Sequence, residues 1–448
     1  MKLVLSVIVV SFVCTAVFGA AGPTILVSPS DPTISIGGTV TLRATRVVVT
    51  GHGKVVDSGR DKTITWSSSD PNVATVNADG TVTGVAAGTA VINAHIRQAP
   101  FDAATQVTVK ATSFFVYAPN EVSSDVSGYS NLGGALASLP GFPLATGLNP
   151  ITLAADPAGK FAYVADIATS LIYGFEINSG TGALSPVPGS PFAAGSEPFA
   201  ELVDPSGTHL YVANIASNDI SIFQIGADGS LAEIPGSPFA AGNSFIGDAI
   251  AMDQTGKFFY KANFSDSTVS AYTVDAGGSL STIAGSPYSV AAAPASLAVD
   301  PLNRFVFVTS LGTEAISTFQ MDSSTGALTP SSVLALAPNT GAFGIVVDPT
   351  GRFAYVANEG SSNVTGYSIH CSTGALHSLA GSPFAGVQFP LSITMDNTGS
   401  FVYLPNPTLN SISGFAVDSG TGALTPVPGS PFSAGNTPFS VTVVPRGQ

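Results

Sequence analysis

The chain has 448 residues, of which 9% are charged, and 28 acidic against 14 basic side chains give a formal net charge of −14. This length exceeds one ordinary domain core and predicts at least two domains. The acidic balance argues against a nucleic-acid partner, because a phosphate backbone is bound through lysine and arginine. The 48 glycines and 32 prolines, with no long stretch of helical period, predict an all-β protein of short strands and turns.

Residues 1–21 have the three parts of a secretory signal peptide, which are Lys2, an apolar run over residues 3–17 and small residues at 19–21. Cys14 lies inside the apolar run, so we do not expect it to carry a lipid anchor. No later stretch is long and apolar enough for a transmembrane helix. The sequence therefore predicts a protein that is secreted, extracellular or associated with the cell envelope.

Residues 23–111 alternate short strands with turns, and the segment from Ile64 to Ala94 reads ITWSSSDPNVATVNADGTVTGVAAGTAVINA. This segment resembles the bacterial Ig-like domain of group 2, which implies a small β-sandwich. Trp66 is the only tryptophan and lies in an alternating strand. We expect it in the sandwich core rather than on a ligand-binding surface.

Residues 113–448 contain a repeat marked by a turn of the DPxG type. Successive turns are 48, 49, 47, 48 and 48 residues apart, and they begin at Asp156, Asp204, Asp253, Asp300, Asp348 and Asp396. An aromatic strand follows each turn, as in FAYVAD and HLYVAN. With a matching FFVYAPN at Phe114, seven units of four short strands are expected, which is typical of a seven-bladed β-propeller.

The two ends of this repeat are complementary. The first unit begins with its second strand at Phe114, whereas the chain ends with an unpaired first strand from Pro438 to Val444. We expect the C-terminal strand to complete the first blade, because this pairing removes both exposed sheet edges.

The order DPxG, YVAN, alternating strand and TGAL resembles the lactonase family of propellers, which includes 6-phosphogluconolactonase and muconate-lactonising enzymes. The resemblance implies a site of histidine, arginine and glutamate acting on a lactone. The YVANE sequence places the glutamate at Glu359. Phe343 then occupies the arginine position, Gly344 a histidine position, and Ala293–Pro294–Ala295 the other histidine motif. The resemblance thus implies the fold more strongly than the activity.

Three charged residues in neighbouring units replace side chains that are mostly apolar elsewhere in the repeat: Glu201, Asp248 and Lys261. Antiparallel pairing predicts that Asp248 lies near Lys261. One interpretation is a polar site at the inner wall of the ring. The other is a buried ion pair that serves only the structure.

Four basic residues share one repeat position, in the turn between first and second strands, and so line one rim of the ring: Lys160, Lys257, Arg304 and Arg352. They cannot converge on a central anionic substrate, which would need cationic partners. The five histidines form no zinc or serine-hydrolase motif. We therefore predict no metal and no cofactor.

These observations favour a non-catalytic binding or scaffold protein, with the Ig-like domain as an adhesion or spacer module and a polysaccharide or cell-surface protein as partner. The alternative is an exported lactonase-like hydrolase or isomerase for a sugar lactone, using Glu359 or the group of Glu201, Asp248 and Lys261. A structural role in the cell envelope is a third hypothesis.

Overall fold

The structure is a computed structural model that describes residues 24–35, 38–49, 55–57, 64–85, 88–96, 102–110, 114–242 and 250–446. The chain forms two compact units, the first over residues 1–111 with the short segment 418–421, and the second over residues 112–417 and 422–448. Within the described ranges, no helix is long and apolar enough to cross a membrane. The predicted signal peptide and Asp248 both lie outside these ranges.

The first unit is built from short strands in sheets of three, four and three strands. The strands are Thr24–Ser28, Thr33–Ser35, Thr39–Thr41, Arg43–Val49, Val55–Asp57, Ile64–Ser68, Ala74–Val76, Thr81–Gly84, Gly88–Ile96 and Asp102–Lys110. Trp66 packs against a core that includes Val40, Val82 and Ile92. The unit is therefore the expected Ig-like sandwich, with its tryptophan at the core.

The second unit consists of seven blades, each built on four antiparallel strands, with a short fifth strand in five of them. The four strands follow chain order in blades 2 to 7, whereas the first strand of blade 1 comes from the C-terminus. From blade 1 to blade 7, the first strands are Thr442–Pro445, Pro150–Ala155, Pro198–Val203, Ile250–Met252, Pro294–Val299, Ala342–Val347 and Thr394–Met395. The second strands are Phe114–Asn120, Phe161–Asp166, His209–Asn214, Phe258–Asn263, Phe305–Ser310, Phe353–Asn358 and Phe401–Asn406.

The outer strands of the blades complete the ring. The third strands are Asp125–Leu132, Leu171–Ile177, Asp219–Ile225, Thr268–Val274, Ala315–Met321, Asn363–Ile369 and Ser411–Val417. The fourth strands are Ala135–Ser138, Leu184–Pro186, Leu231–Glu233, Leu280–Thr282, Leu328–Ala335, Leu376–Ser378 and Leu424–Pro426. Short fifth strands are Leu144–Ala145, Phe192–Ala193, Phe239–Ala240, Tyr288–Ser289 and Phe432–Ser433, and Pro407–Leu409 forms a 3-10 turn.

The ring closes as the sequence predicts. The C-terminal strand Thr442–Pro445 pairs antiparallel with Phe114–Tyr117, so the end of the chain supplies the inner strand of blade 1. Val444 of this strand is fully buried. Because both chain ends share one sheet, neither leaves an unpaired inner edge.

Neighbouring blades pack face to face through apolar clusters. One such cluster joins Phe115 and Tyr117 of blade 1 to Leu153 and Val164 of blade 2. A buried tyrosine on the second strand adds a polar link in six blades, because its hydroxyl donates to a glycine carbonyl in a turn of the following blade. Blade 7 makes this bond to blade 1, where Tyr403 reaches Gly134 at 2.7 Å.

The aspartate of the DPxG turn stabilises the turn by accepting backbone hydrogen bonds. In blade 2, Asp156 Oδ1 accepts hydrogen bonds from the backbone amides of Lys160 and Phe161, both at 2.6 Å. The same pair of bonds forms at Asp204, Asp253, Asp348 and Asp396. The recurring aspartate therefore serves the turn between first and second strands.

Candidate functional site

The inner wall of the propeller is formed by the first strands, which carry a β-bulge near their beginning. In blade 2, Pro150 pairs with Asp166 but Thr152 pairs with Ala165, so Ile151 has no partner of its own. The same shift occurs in blades 3 and 5. A bulge turns the side chain of the extra residue away from the regular alternation. In these three blades the bulged residue is the one after the proline, which is Ile151, Phe199 or Ala295.

The bulged positions and their equivalents in other blades carry apolar side chains among the described residues. Phe199 of blade 3 and Phe439 of blade 1 meet edge to face across blade 2, with ring centroids 5.5 Å apart. Phe343 is only 3% exposed, and Ala295 is fully buried. These two residues occupy or adjoin the positions that the lactonase resemblance assigns to arginine and histidine. The described part of the channel wall is therefore apolar where the resemblance places polar groups.

Glu359 lies at the start of the loop that follows the second strand of blade 6. Its backbone amide donates to the carbonyl oxygen of Gly341 at 2.8 Å, which fixes the loop against the beginning of the first strand. The residue is partly exposed, and burial raises the pKa of its carboxyl group. A carboxyl group of raised pKa keeps its proton to higher pH than an ordinary glutamate and can then donate it.

Glu201 reaches from the first strand of blade 3 into the seam with blade 2. Its Oε1 accepts a hydrogen bond from the amide of Ala165 at 3.1 Å. Its Oε2 is buried and has no hydrogen-bond partner among the described residues, and the same holds for the hydroxyl of the neighbouring Thr152. Burial raises the pKa of Glu201 well above its ordinary value, although the bond from Ala165 opposes this shift.

Lys261 lies on the second strand of blade 4, opposite Ile250, and is 1% exposed. Its ammonium group donates to the carbonyl of Gly242 at 2.8 Å and to Asn263 Oδ1 at 3.2 Å. Burial lowers the pKa of Lys261 to about 8, and the charge of Asp266 opposes this shift.

The structure distributes the predicted site residues over different parts of the ring. Glu201 of blade 3 accepts a hydrogen bond from Ala165 of blade 2. Lys261 of blade 4 donates to the carbonyl of Gly242, in the segment that follows the last strand of blade 3. Glu359 belongs to blade 6. Since Asp248 lies outside the described residues, its predicted proximity to Lys261 stays a prediction.

Two of the four basic residues at the turns between first and second strands, Lys160 and Arg304, make contacts that serve the structure. The Lys160 ammonium donates to the carbonyl of Ala227 in blade 3 at 2.9 Å. Arg304 pairs with Asp300 at 2.7 Å and donates to Gly351 of the next blade at 2.8 Å. These cations therefore link neighbouring blades. Among the described residues, no group of three histidine, cysteine, aspartate or glutamate side chains could hold a metal ion.

Sequence reasoning missed two features. One is an open cavity of about 760 Å³ near the end of the first strands, lined by turns of blade 2 together with Pro445 and Arg446. The other is a set of exposed apolar side chains on the loops at the opposite end of the blades: Val122, Leu148, Phe389 and Leu409. The signal for the second set is that most equivalent residues elsewhere in the repeat are small or polar.

Solved structures with this architecture include enzymes that act on sugar lactones. A candidate 6-phosphogluconolactonase from Bacteroides fragilis is 17% identical and superposes with a TM-score of 0.65, covering 74% of this chain and 98% of that one. The periplasmic gluconolactonase of Pseudomonas aeruginosa is also 17% identical, with a TM-score of 0.62 and coverage of 74% and 99%. At such identities the likeness concerns the fold alone.

Sequence relatives match only a short part of the chain. An α-L-arabinofuranosidase from Bifidobacterium longum is 54% identical over 54 residues, which span 12% of this chain and 5% of that enzyme. The family described as bacterial Ig-like domain (group 2) matches residues 23–107. The family described as lactonase, 7-bladed beta-propeller, matches residues 150–294 and 203–448. The chain therefore belongs to the seven-bladed lactonase propeller family and carries a group 2 bacterial Ig-like domain before its propeller.

Proposed function

We propose that this chain is a secreted or cell-surface protein whose propeller binds a partner without catalysing a reaction, and whose Ig-like domain acts as an adhesion or spacer module. The observation that carries the proposal is the apolar character of the described inner positions, above all the contact of Phe199 with Phe439 and the burial of Phe343. A lactone site requires groups that stabilise developing negative charge, and apolar side chains cannot do so.

The placement of the charged residues also supports a non-catalytic role. An acid and a base that act together must both reach the reacting atoms. Glu201 is on blade 3 and bonds to blade 2, Lys261 is on blade 4 and bonds to Gly242, and Glu359 follows the second strand of blade 6. Export is supported by the signal-like pattern of residues 1–21 and by the Ig-like domain.

Lactone hydrolysis by the purified chain tests the proposal. Neutral sugar lactones and 6-phosphogluconolactone are offered to the wild type, to Glu359→Gln and to Glu121→Gln, the matched control at the same repeat position of blade 1. We expect no turnover above the uncatalysed rate in any of the three proteins. Turnover that is lost in Glu359→Gln and kept in Glu121→Gln would establish a lactonase instead. N-terminal sequencing of the exported protein tests removal of the first 21 residues.

A further inference from the structure

Four large apolar side chains are exposed at the end of the blades where second strands end and first strands begin, which we name the loop face. Val122 is 65% exposed, Leu148 60%, Leu409 53% and Phe389 41%. They belong to the loops of blades 7, 1 and 2, which are consecutive in the closed ring. We refer to these four residues as the apolar arc.

Hydrogen bonds between neighbouring loops connect the segments that carry the arc. Each bond joins the loop of one arc residue to the next loop: Gln388 to Asn406 at 2.7 Å, Thr437 to Asn410 at 3.0 Å, Val122 to Asn436 at 3.2 Å, and Thr146 to Ser124 at 3.0 Å. The four side chains are thus held on one fixed surface. Contiguous exposed apolar surface on a protein marks an interaction site more often than scattered residues do.

The fold itself does not require these apolar side chains. The six residues that occupy the position of Leu409 in the other blades are all polar: Ser123, Thr169, Ser217, Asp266, Thr313 and Ser361. The position of Phe389 has a positive backbone φ in several blades, and it is held there by Glu197, Ala293, Gly341 and Thr437. Phe389, with a φ of +53°, is the bulkiest of these residues in a left-handed region that disfavours bulky side chains. An exposed apolar side chain in an unfavourable backbone conformation lowers the stability of the free protein, and burial against a partner offsets this cost.

The charges around the arc define the chemistry of what covers it. Glu121 directly precedes Val122, and Phe389 donates its amide to Ser362 in the loop that carries Glu359. The sequence places no lysine or arginine in the loops of this face. Five of the six basic residues of the propeller lie near the opposite end of the strands, and the sixth, Lys261, is buried. Carboxylates therefore flank the arc, with no exposed cation to balance them.

We propose that the apolar arc docks a polypeptide segment of another protein that carries apolar side chains together with lysine or arginine. Apolar side chains of the partner cover the arc, and its cations face Glu121 and Glu359. Complementary charge favours such a partner over an acidic one. This inference rests on the proposed binding function and narrows it to a basic, apolar protein segment.

Binding of defined peptides to the full chain tests this proposal by isothermal titration calorimetry. The probes are a short amphipathic peptide of leucine and lysine and its counterpart of leucine and glutamate. The variants are Phe389→Ser/Leu409→Ser in the arc and, as matched control, Leu302→Ser/Val333→Ser, which removes two exposed apolar side chains elsewhere on the propeller. We expect the lysine peptide to bind the wild type and the control equally, and the arc variant about tenfold more weakly.

Several results would overturn the inference. Equal binding of the two peptides would show apolar adhesion without charge recognition, and equal loss in both variants would place the site elsewhere. Absence of peptide binding would exclude the proposed occupant. Binding of a neutral polysaccharide to the arc would assign the surface to a different ligand, and self-association that the arc variant abolishes would assign it to a second copy of the chain. None of these results depends on lactone turnover, so failure here leaves the proposed non-catalytic function to its own assay.

Discussion

Glu201 shows how one residue can depart from a repeat without breaking the fold. Its equivalents in other blades are Leu153, Ile250, Leu297, Ile345, Ile393 and Val441, which pack in the seams between blades. A carboxylate in such a seam loses its hydration, and one amide bond does not replace it. The raised pKa follows, because the neutral acid is less costly to bury than the anion.

Glu201 should make stability depend on pH. The unfolded chain releases the proton near pH 4.5, whereas the folded chain keeps it to higher pH. Since the folded state then binds more protons, the unfolding free energy falls as pH rises from about 4.5 through the folded pKa. Glu201→Gln removes this loss, so we expect it to be more stable than wild type at pH 8, by about 1–3 kcal/mol.

Urea denaturation of wild type and Glu201→Gln at pH 4 and pH 8 measures this effect. The difference between the two proteins should be small at pH 4 and favour the variant at pH 8. Glu176→Gln, which changes an exposed glutamate of blade 2, serves as control. A difference that does not change with pH would show that the pKa of Glu201 is the same in the folded and unfolded states.

At the scale of the element, a tyrosine hydroxyl joins six of the seven blades to the next blade. Tyr163 donates to Gly229 at 2.9 Å, and Tyr211 to Gly278 at 3.0 Å. Burial raises the pKa of these phenols, so the hydroxyl remains a donor throughout the ordinary pH range. Blade 5 is the exception, because Phe307 stands at the tyrosine position.

Two substitutions, one that removes this hydroxyl group and one that adds it, should change the unfolding free energy in opposite directions. Tyr163→Phe leaves the Gly229 carbonyl without its donor and should lower the unfolding free energy by about 1–3 kcal/mol. Phe307→Tyr places a hydroxyl at the equivalent position facing the Gly374 turn of blade 6 and should raise it by about 0.5–1.5 kcal/mol. Thermal and urea unfolding monitored by circular dichroism measure both. An unchanged midpoint in Tyr163→Phe would mean that the bond adds nothing to the seam.

At the scale of the whole molecule, stability depends on ring closure. The strand Thr442–Pro445 pairs with Phe114–Tyr117 and buries Val444 completely. Without it, blade 1 would expose the backbone donors and acceptors of its second strand at an inner edge. An exposed edge of this kind pairs readily with other chains.

Truncation tests the contribution of closure. A chain that ends at Val441 should be destabilised by at least about 3 kcal/mol, from lost apolar burial alone, and should aggregate on heating. A chain that ends at Arg446 keeps the strand and should behave as wild type. Differential scanning calorimetry and light scattering compare the two. Equal melting temperatures would show that the ring is stable without its last strand.

The sequence by itself determined the all-β class, the seven blades and the closure by the C-terminal strand, because these follow from a turn motif that occurs six times and an aromatic strand pattern that occurs seven times. Only the tertiary structure decided which side chains face the channel and which seams hold the charges. The bulge after Pro150, Pro198 and Pro294 changes the alternation of the first strands, so residues two apart do not share a face there. The apolar arc likewise emerges only when the ring brings loops from distant parts of the chain together.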